Sequence, residues 1–334
     1  MDLHDRRALK AAARDSLAAA PYDPRKIILI HTGITVAVSL IGTILNFVLA
    51  KQIETTGGLG GLGLRSMLST VQSVLQLLVA VAIPIWEAGY CFATMKIARN
   101  EEAAPDSLLQ GFRRFWPLLR VKVTQGMIFL LIGLLSFFLS YYIFMLTPLS
   151  DPLYAIIETI NVDSSLLQTE MMLDDATMLA IVDAYIPMLL IWLAVFAIAA
   201  VFVSYRFRMA TFLVFDHPEM RGMETLRISA YQLRGHMKAL FKLDLSYLWF
   251  FALQVLISVL AYGDSLLLLI GVELPMSADV AYFAFLLLSL VCQAGLFIWV
   301  RNQIDVTYAK FYCLTALPIN NAPEENSNDL QNDL

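Results

Sequence analysis

The chain has 334 residues, 59% of them hydrophobic and 15% charged, with a mean hydropathy of +0.68 and a net charge of −5. A soluble domain carries about 25% charged residues, so a soluble fold of this length that hides so much apolar surface is excluded. The net charge itself says little, because acidic and basic groups are segregated along the chain.

Taken in chain order, residues 1–26 form a basic, Ala-rich segment. Residues 9–17 belong to a helix there, and Arg6, Arg7, Lys10 and Arg14 are placed to meet anionic headgroups. The apolar block that follows is about 24 residues long, longer than a signal-peptide core. It is the first of six candidate spans, at 27–50, 68–95, 121–148, 179–205, 243–262 and 280–300. Each has about the 20 residues that a helix needs to cross the hydrocarbon. A helix is required because lipid offers no partner to backbone amides. Pro84 and Pro187 lie inside spans, where proline kinks a helix.

Two further segments read as amphipathic. Asp106 can cap a short helix that presents Leu108, Leu109, Phe112 and Phe115. Farther on, Met223, Leu226, Ala230, Leu233, Met237 and Leu240 recur at three- and four-residue steps, with Arg227, Arg234, His236 and Lys238 on other faces. That pattern predicts one long interfacial helix. Residues 318–334 read as a disordered acidic tail, polar and without period.

Charge orients the spans. Lys plus Arg number 6 before Ile27, 2 in 51–67, 6 in 96–122, 0 in 149–178, 7 in 206–242, 0 in 263–279 and 2 from Arg301 on. This alternation is the positive-inside pattern of a six-span protein with both termini in the cytoplasm. The fold class is therefore an all-α polytopic membrane protein, with a membrane domain at 27–317 and interfacial amphipathic helices on the cytoplasmic side. Trp116, Tyr141, Tyr142, Tyr185, Tyr247 and Trp249 stand near span ends and read as interfacial anchors. The ends of spans two, four and six look alike: the second ends in Tyr90–Met95, the fourth in Tyr205–Phe212, and the sixth continues into Thr307–Tyr312, which suggests three helical hairpins of one orientation. The rival reading is chance similarity among apolar helices.

The stretch from Tyr205 to Ser246, YRFRMATFLVFDHPEMRGMETLRISAYQLRGHMKALFKLDLS, carries Asp216, Pro218, Glu224, Ser229, Gly235, Phe241, Leu243, Leu245 and Ser246. It resembles the integral-membrane family called domain of unknown function 975, found mainly in Gram-positive bacteria. In that family an Asp-x-Pro turn, a Ser-containing amphipathic helix, a Gly and a Leu-x-Leu-Ser entry follow a Tyr/Met-rich span end. Gly111-Phe112 after Arg99 and the closing Tyr308-Ala309-Lys310-Phe311-Tyr312 agree with it. The chain departs at Gly263-Asp264 and Gly271-Val272-Glu273, where the family pattern has a Gly-Ile-Gly turn and a Trp–Pro-Tyr pair. The resemblance implies a membrane fold and transfers no catalytic residue.

A charge at mid-membrane costs about 2.5–3.5 kcal/mol, so ionisable groups within spans are the functional candidates. His31, Glu87, Gln125, Arg206, Arg208, Asp244, Arg301 and Asp305 all fall in the cytoplasmic half. They predict a polar cluster centred on Glu87, with Arg301 and Asp305 four apart on one helix face. The rival reading for Asp244, Arg301 and Asp305 is snorkelling to the interface. The glycine run 57–63 lacks the Gly-Lys-Ser/Thr ending of a phosphate loop. The acidic residues of 149–178 lack calcium-loop spacing. There is no His-Glu-x-x-His and no Gly-x-Ser-x-Gly. No catalytic, metal or cofactor site is assigned, and membrane lipids, with anionic headgroups at the cytoplasmic face, are the expected partners. Nucleic acid is not expected. The leading reading is a non-enzymatic permease-like or transport-associated component. The alternatives are a protein or intramembrane enzyme acting on lipid headgroups, and a scaffold recruiting partners through its amphipathic helices. Oligomeric state is not legible.

Overall fold

The computed structural model describes residues 5–55, 62–162, 175–269, 271–272 and 277–316, all of whose long elements are helical. The glycine run at 57–61, the acidic loop at 163–174, Glu273 and the tail from 318 lie outside the described residues. The chain divides into two compact units, residues 1–119 with 209–334 and residues 120–208.

In the first unit, α1 (Arg6–Ala19) starts at Asp5, whose carboxylate accepts the Arg7 and Ala8 N–H groups at 2.9 and 3.2 Å. Its apolar stripe of Leu9 and Ala13 is buried against protein rather than lipid. Then come α2 (Pro24–Thr55) and α3 (Leu62–Ala98), which pack on one another. Asp23 accepts the Arg25 N–H at the start of α2. The segment after α3 is a 3-10 turn (Pro105–Leu109) running into α4 (Gln110–Arg113). Asp106 sits in the first turn but makes no capping bond, since Ala104 is the residue at the cap. Leu108 is buried there while Leu109 and Phe112 are exposed, so the expected apolar face is split.

The second unit holds most of α5 (Phe115–Leu146), α6 (Asp151–Val162) and α7 (Asp175–Phe207). The Trp192 indole N–H donates to the Gly133 carbonyl at 3.2 Å, which ties α7 to α5. Phe144, Leu153, Ala184 and Met188 form a small core with Tyr185 packed on it.

The first unit resumes with α8 (Ala210–Asp216), α9 (Gly222–Gln232), α10 (Met237–Leu245), α11 (Leu248–Leu260) and α12 (Gly263–Leu269). It closes with α13 (Ala278–Leu296), a π turn (Phe297–Arg301) and α14 (Asn302–Thr315). The single amphipathic helix expected over 223–240 is two helices. Gly235, at φ +87°, turns the chain between α9 and α10. A Cβ at Gly235 would touch nothing within 4 Å, so only backbone conformation is at stake. A left-handed residue with a Cβ costs about 1–2 kcal/mol. Gly235→Ala is expected to lower stability by about that amount and Gly235→Asn by less, read as thermal unfolding midpoints of the purified protein in detergent.

The fifth span also departs from expectation. α10 and α11 meet at a 59° bend, and α11 alone, with 13 residues, reaches about 20 Å, short of the roughly 30 Å hydrocarbon core. The sixth helix runs beyond residue 300, because Asp279–Thr315 is continuous through the π turn. Among the described residues, five helices are long and apolar enough to cross a membrane, or six if the bent pair is one span. Their middles expose Leu77, Leu78, Leu130, Phe138, Leu190 and Ile198. So much exposed apolar side chain needs lipid around it, and the protein belongs in a membrane. Many of the fully buried residues lie near the basic segments, including Leu9, Ile27, Met95, Leu108, Leu213 and Phe311, while Phe144 is buried near the other end of α5.

A candidate ion-pair site on three helices

In the first unit, α3, α2 and the π turn with α14 bring four of the predicted residues together. Arg301 donates from Nη2 to Glu87 Oε2 at 2.5 Å and from Nε to Asp305 Oδ2 at 3.1 Å. Its guanidinium lies 4.5 Å from the Phe297 ring centroid and 5.4 Å from that of Tyr90. The π turn accommodates one extra residue in the helical ladder, a feature frequent at functional sites, and Arg301 is its last residue.

His31 completes the group from α2. It is fully buried, with its ring stacked 4.5 Å from Tyr90 and 5.6 Å from Trp86. The Trp86 indole N–H donates to the His31 carbonyl at 3.3 Å, which fixes the backbone beside it. His31 Nε2 stands 3.8 Å from Glu87 Oε1, outside hydrogen-bond reach, and neither ring nitrogen has a hydrogen-bond partner. The Glu87 and Asp305 carboxylates both engage the one Arg301 guanidinium. Side-chain exposure is 32% for Glu87, 28% for Asp305 and 18% for Arg301. The carboxylates are thus reachable while the imidazole forms the closed end.

Asp244 is not in this group. It accepts the Tyr308 hydroxyl, and beside it the Tyr247 and Thr307 hydroxyls lie 3.1 Å apart. Lys10 reaches in from α1, 3.8 Å above the Tyr247 ring and 3.4 Å from the Ser246 carbonyl. Burial first, then the charges of Arg6 and Arg14, lower the Lys10 pKa. Tyr247, expected as an interfacial anchor, is buried and hydrogen-bonded instead, whereas Trp116, Tyr142 and Trp249 are exposed.

A third polar layer follows along α14. Asp216 accepts two hydrogen bonds from Arg99, at 2.9 and 2.6 Å, and one from the Tyr312 hydroxyl at 2.6 Å. Its hydrogen bond raises the Arg99 pKa further above the arginine range. The other residues of the family-like block serve structure. Glu224 accepts the Arg221 N–H at the start of α9, Ser229 is buried, and Ser246 bonds the Leu243 carbonyl at the α10 end. Pro218 lies in the turn after Asp216.

Gln125, Arg206 and Arg208 belong to the second unit, where Arg206 lies over Phe202 and Arg208 over Tyr205. Among the described residues no group of three His, Cys, Asp or Glu side chains is arranged to hold a metal ion. Tyr90, whose hydroxyl donates to Asn302 Oδ1 at 3.3 Å, and Thr307, Tyr308 and Tyr312 join these layers from outside the predicted set. One signal was available: Arg301, Asp305, Tyr308 and Tyr312 recur at steps of four, three and four, a polar stripe on one helix face.

Residues 1–315 match the family model described as "Protein of unknown function (DUF975)". No curated protein and no solved structure matches the chain.

Proposed function

Because the chain belongs to the DUF975 family, whose description carries no activity, we propose a function from its own residues. It is a non-enzymatic, permease-like or transport-associated protein of the bacterial plasma membrane that takes an ammonium or amine group at Glu87, Arg301 and Asp305. We read six spans in three hairpins, with both termini and this site on the cytoplasmic side, on the strength of the charge alternation. One observation carries the ligand class: two partly exposed carboxylates face one guanidinium and a buried imidazole without hydrogen-bond partners. A charged group costs free energy at such depth, and an anion there would face the Glu87 and Asp305 carboxylates. A cation can pair with the partly exposed carboxylates of Glu87 and Asp305.

A second source of the same chemistry is a phosphatidylethanolamine headgroup. It is favoured by an open apolar groove of about 1070 Å³, lined by Leu256, Leu260, Phe285, Leu296, Trp299 and Val300, the last adjoining Arg301 in the chain. The test is the thermal unfolding midpoint of the full chain in neutral detergent. Ethanolamine and putrescine are expected to raise it, acetate and phosphate are not, and Glu87→Gln is expected to remove the amine response. Asp279→Asn, which breaks the exposed Lys51–Asp279 pair, is expected to keep it. Stabilisation by phosphatidylethanolamine but not by free ethanolamine assigns the headgroup source. Equal stabilisation by anions, or an amine response that survives Glu87→Gln, overturns the reading.

A further inference from the structure

The loop between α9 and α10 and the bend after α10 leave α10 with two distinct faces. Ala239, Leu240 and Leu243 are buried. On the other side Phe241 and Leu245, one turn apart, are exposed to 57% and 53%. Beside that apolar strip runs a basic one, Lys238 and Lys242, also one turn apart and exposed. The acid of the helix, Asp244, is turned away and held by the Tyr308 hydroxyl, so the exposed face carries positive charge alone. Arg234 is exposed just ahead of the helix and Trp249 just after it. The 59° bend carries α10 off the line of α11.

We propose that α10 is a docking helix for anionic phospholipid, with Phe241 and Leu245 among the acyl chains and Lys238 and Lys242 against the headgroup phosphates. An apolar strip flanked by lysines matches the boundary between acyl chains and headgroups. Lysine stems reach from that depth to the phosphate level. Tryptophan at the adjoining turn favours the same boundary. Charge complementarity selects the occupant: a zwitterionic lipid satisfies the apolar strip alike but gains no net attraction to two lysines. None of these residues belongs to the amine site at Glu87, Arg301 and Asp305.

The test is titration of the purified full chain in neutral detergent with phosphatidylglycerol and with phosphatidylcholine, read by native mass spectrometry of retained lipid. The wild type is expected to prefer phosphatidylglycerol. Lys238→Gln with Lys242→Gln is expected to weaken that lipid roughly thirtyfold and leave phosphatidylcholine unchanged. The corresponding Glu pair reverses the preference, and the preference of the wild type declines with added salt. Phe241→Ala with Leu245→Ala weakens both lipids together. All variants are compared at matched thermal midpoints, so loss of fold is seen separately. Equal affinity of the wild type for the two lipids, or a preference untouched in the double Gln variant, overturns the proposal.

Discussion

Gly111→Ala is expected to cost the first unit about 4 kcal/mol or more, enough to prevent its folding, and Gly89→Ala to do the same. A Cβ on Gly111 would lie 2.1 Å from the Ile85 carbonyl oxygen and 2.9 Å from the Gly89 nitrogen. A Cβ on Gly89 would lie 1.9 Å from the Leu108 carbonyl oxygen. Both obstacles are backbone, so no rotamer change relieves them. α3 and the 3-10 turn with α4 would have to separate. Overpacking that side chains can absorb costs about 1–3 kcal/mol, and rigid backbone overlap belongs to the rarer class above about 4 kcal/mol. Separating the two segments also uncovers Leu108 and the tilted contact between Trp86 and Phe112, 6.3 Å centroid to centroid. Trp86 stacks on His31, so the damage reaches the ion-pair site. The comparison is with Gly33→Ala and Gly42→Ala on α2, where a Cβ meets nothing within 4 Å. In a helix those changes are worth up to about 1 kcal/mol in favour of alanine. Thermal midpoints in detergent should fall steeply or be unmeasurable for positions 89 and 111, and hold or rise for 33 and 42. Near-wild-type midpoints at 89 and 111 would refute the close crossing.

The same glycines show what a sequence reveals and what it withholds. Gly111 was visible only as a motif residue; the reason for it, a carbonyl from another helix, depends on tertiary packing. Span positions were legible because lipid forces each apolar run to be a helix of set length. The helix ends were not. The apolar run of the last span stops at Val300, ahead of Arg301 and Asp305. The helix nevertheless continues to Thr315, since its polar stripe finds Glu87, Asp244 and Asp216 as partners. The amphipathic run 223–240 kept its period through the α9–α10 break, and only the positive φ of Gly235 marks it. Glu87, His31, Arg301 and Asp305 were legible as candidates because charge and imidazole are costly in a span. Their tyrosine partners were not, because tyrosine near a span end has a common bland role as an anchor. Tyr247 and Tyr308 differ from the exposed Tyr142 only by what lies opposite them.

Arg301→Gln is expected to destabilise the protein by about 2–3 kcal/mol, and the loss should be largely repaired by adding Glu87→Gln. Removing one partner of a buried pair costs about 3–5 kcal/mol, because the other charge is left without compensation. Exposures of 32% for Glu87 and 28% for Asp305 let water recover part of that. The variant takes from Glu87 and Asp305 the guanidinium they share and lifts it off the Tyr90 and Phe297 rings. Glu87→Gln alone is milder, about 1 kcal/mol, since Arg301 retains Asp305 at 3.1 Å and an amide can still accept its hydrogen bond. In the double variant Asp305 is the one carboxylate of the pair that remains, so the repulsion between two carboxylates that have lost their shared guanidinium is gone. The two losses should therefore fail to add by more than about 1.5 kcal/mol, measured as unfolding free energies or midpoints on the four corners of the cycle. Strict additivity would mean that Glu87 and Arg301 do not share one electrostatic site, and it would remove the ground for placing a cationic ligand there. A double variant that is stable yet deaf to ethanolamine would separate the two roles of Glu87: holding Arg301 and offering its second oxygen, across from His31, to a ligand.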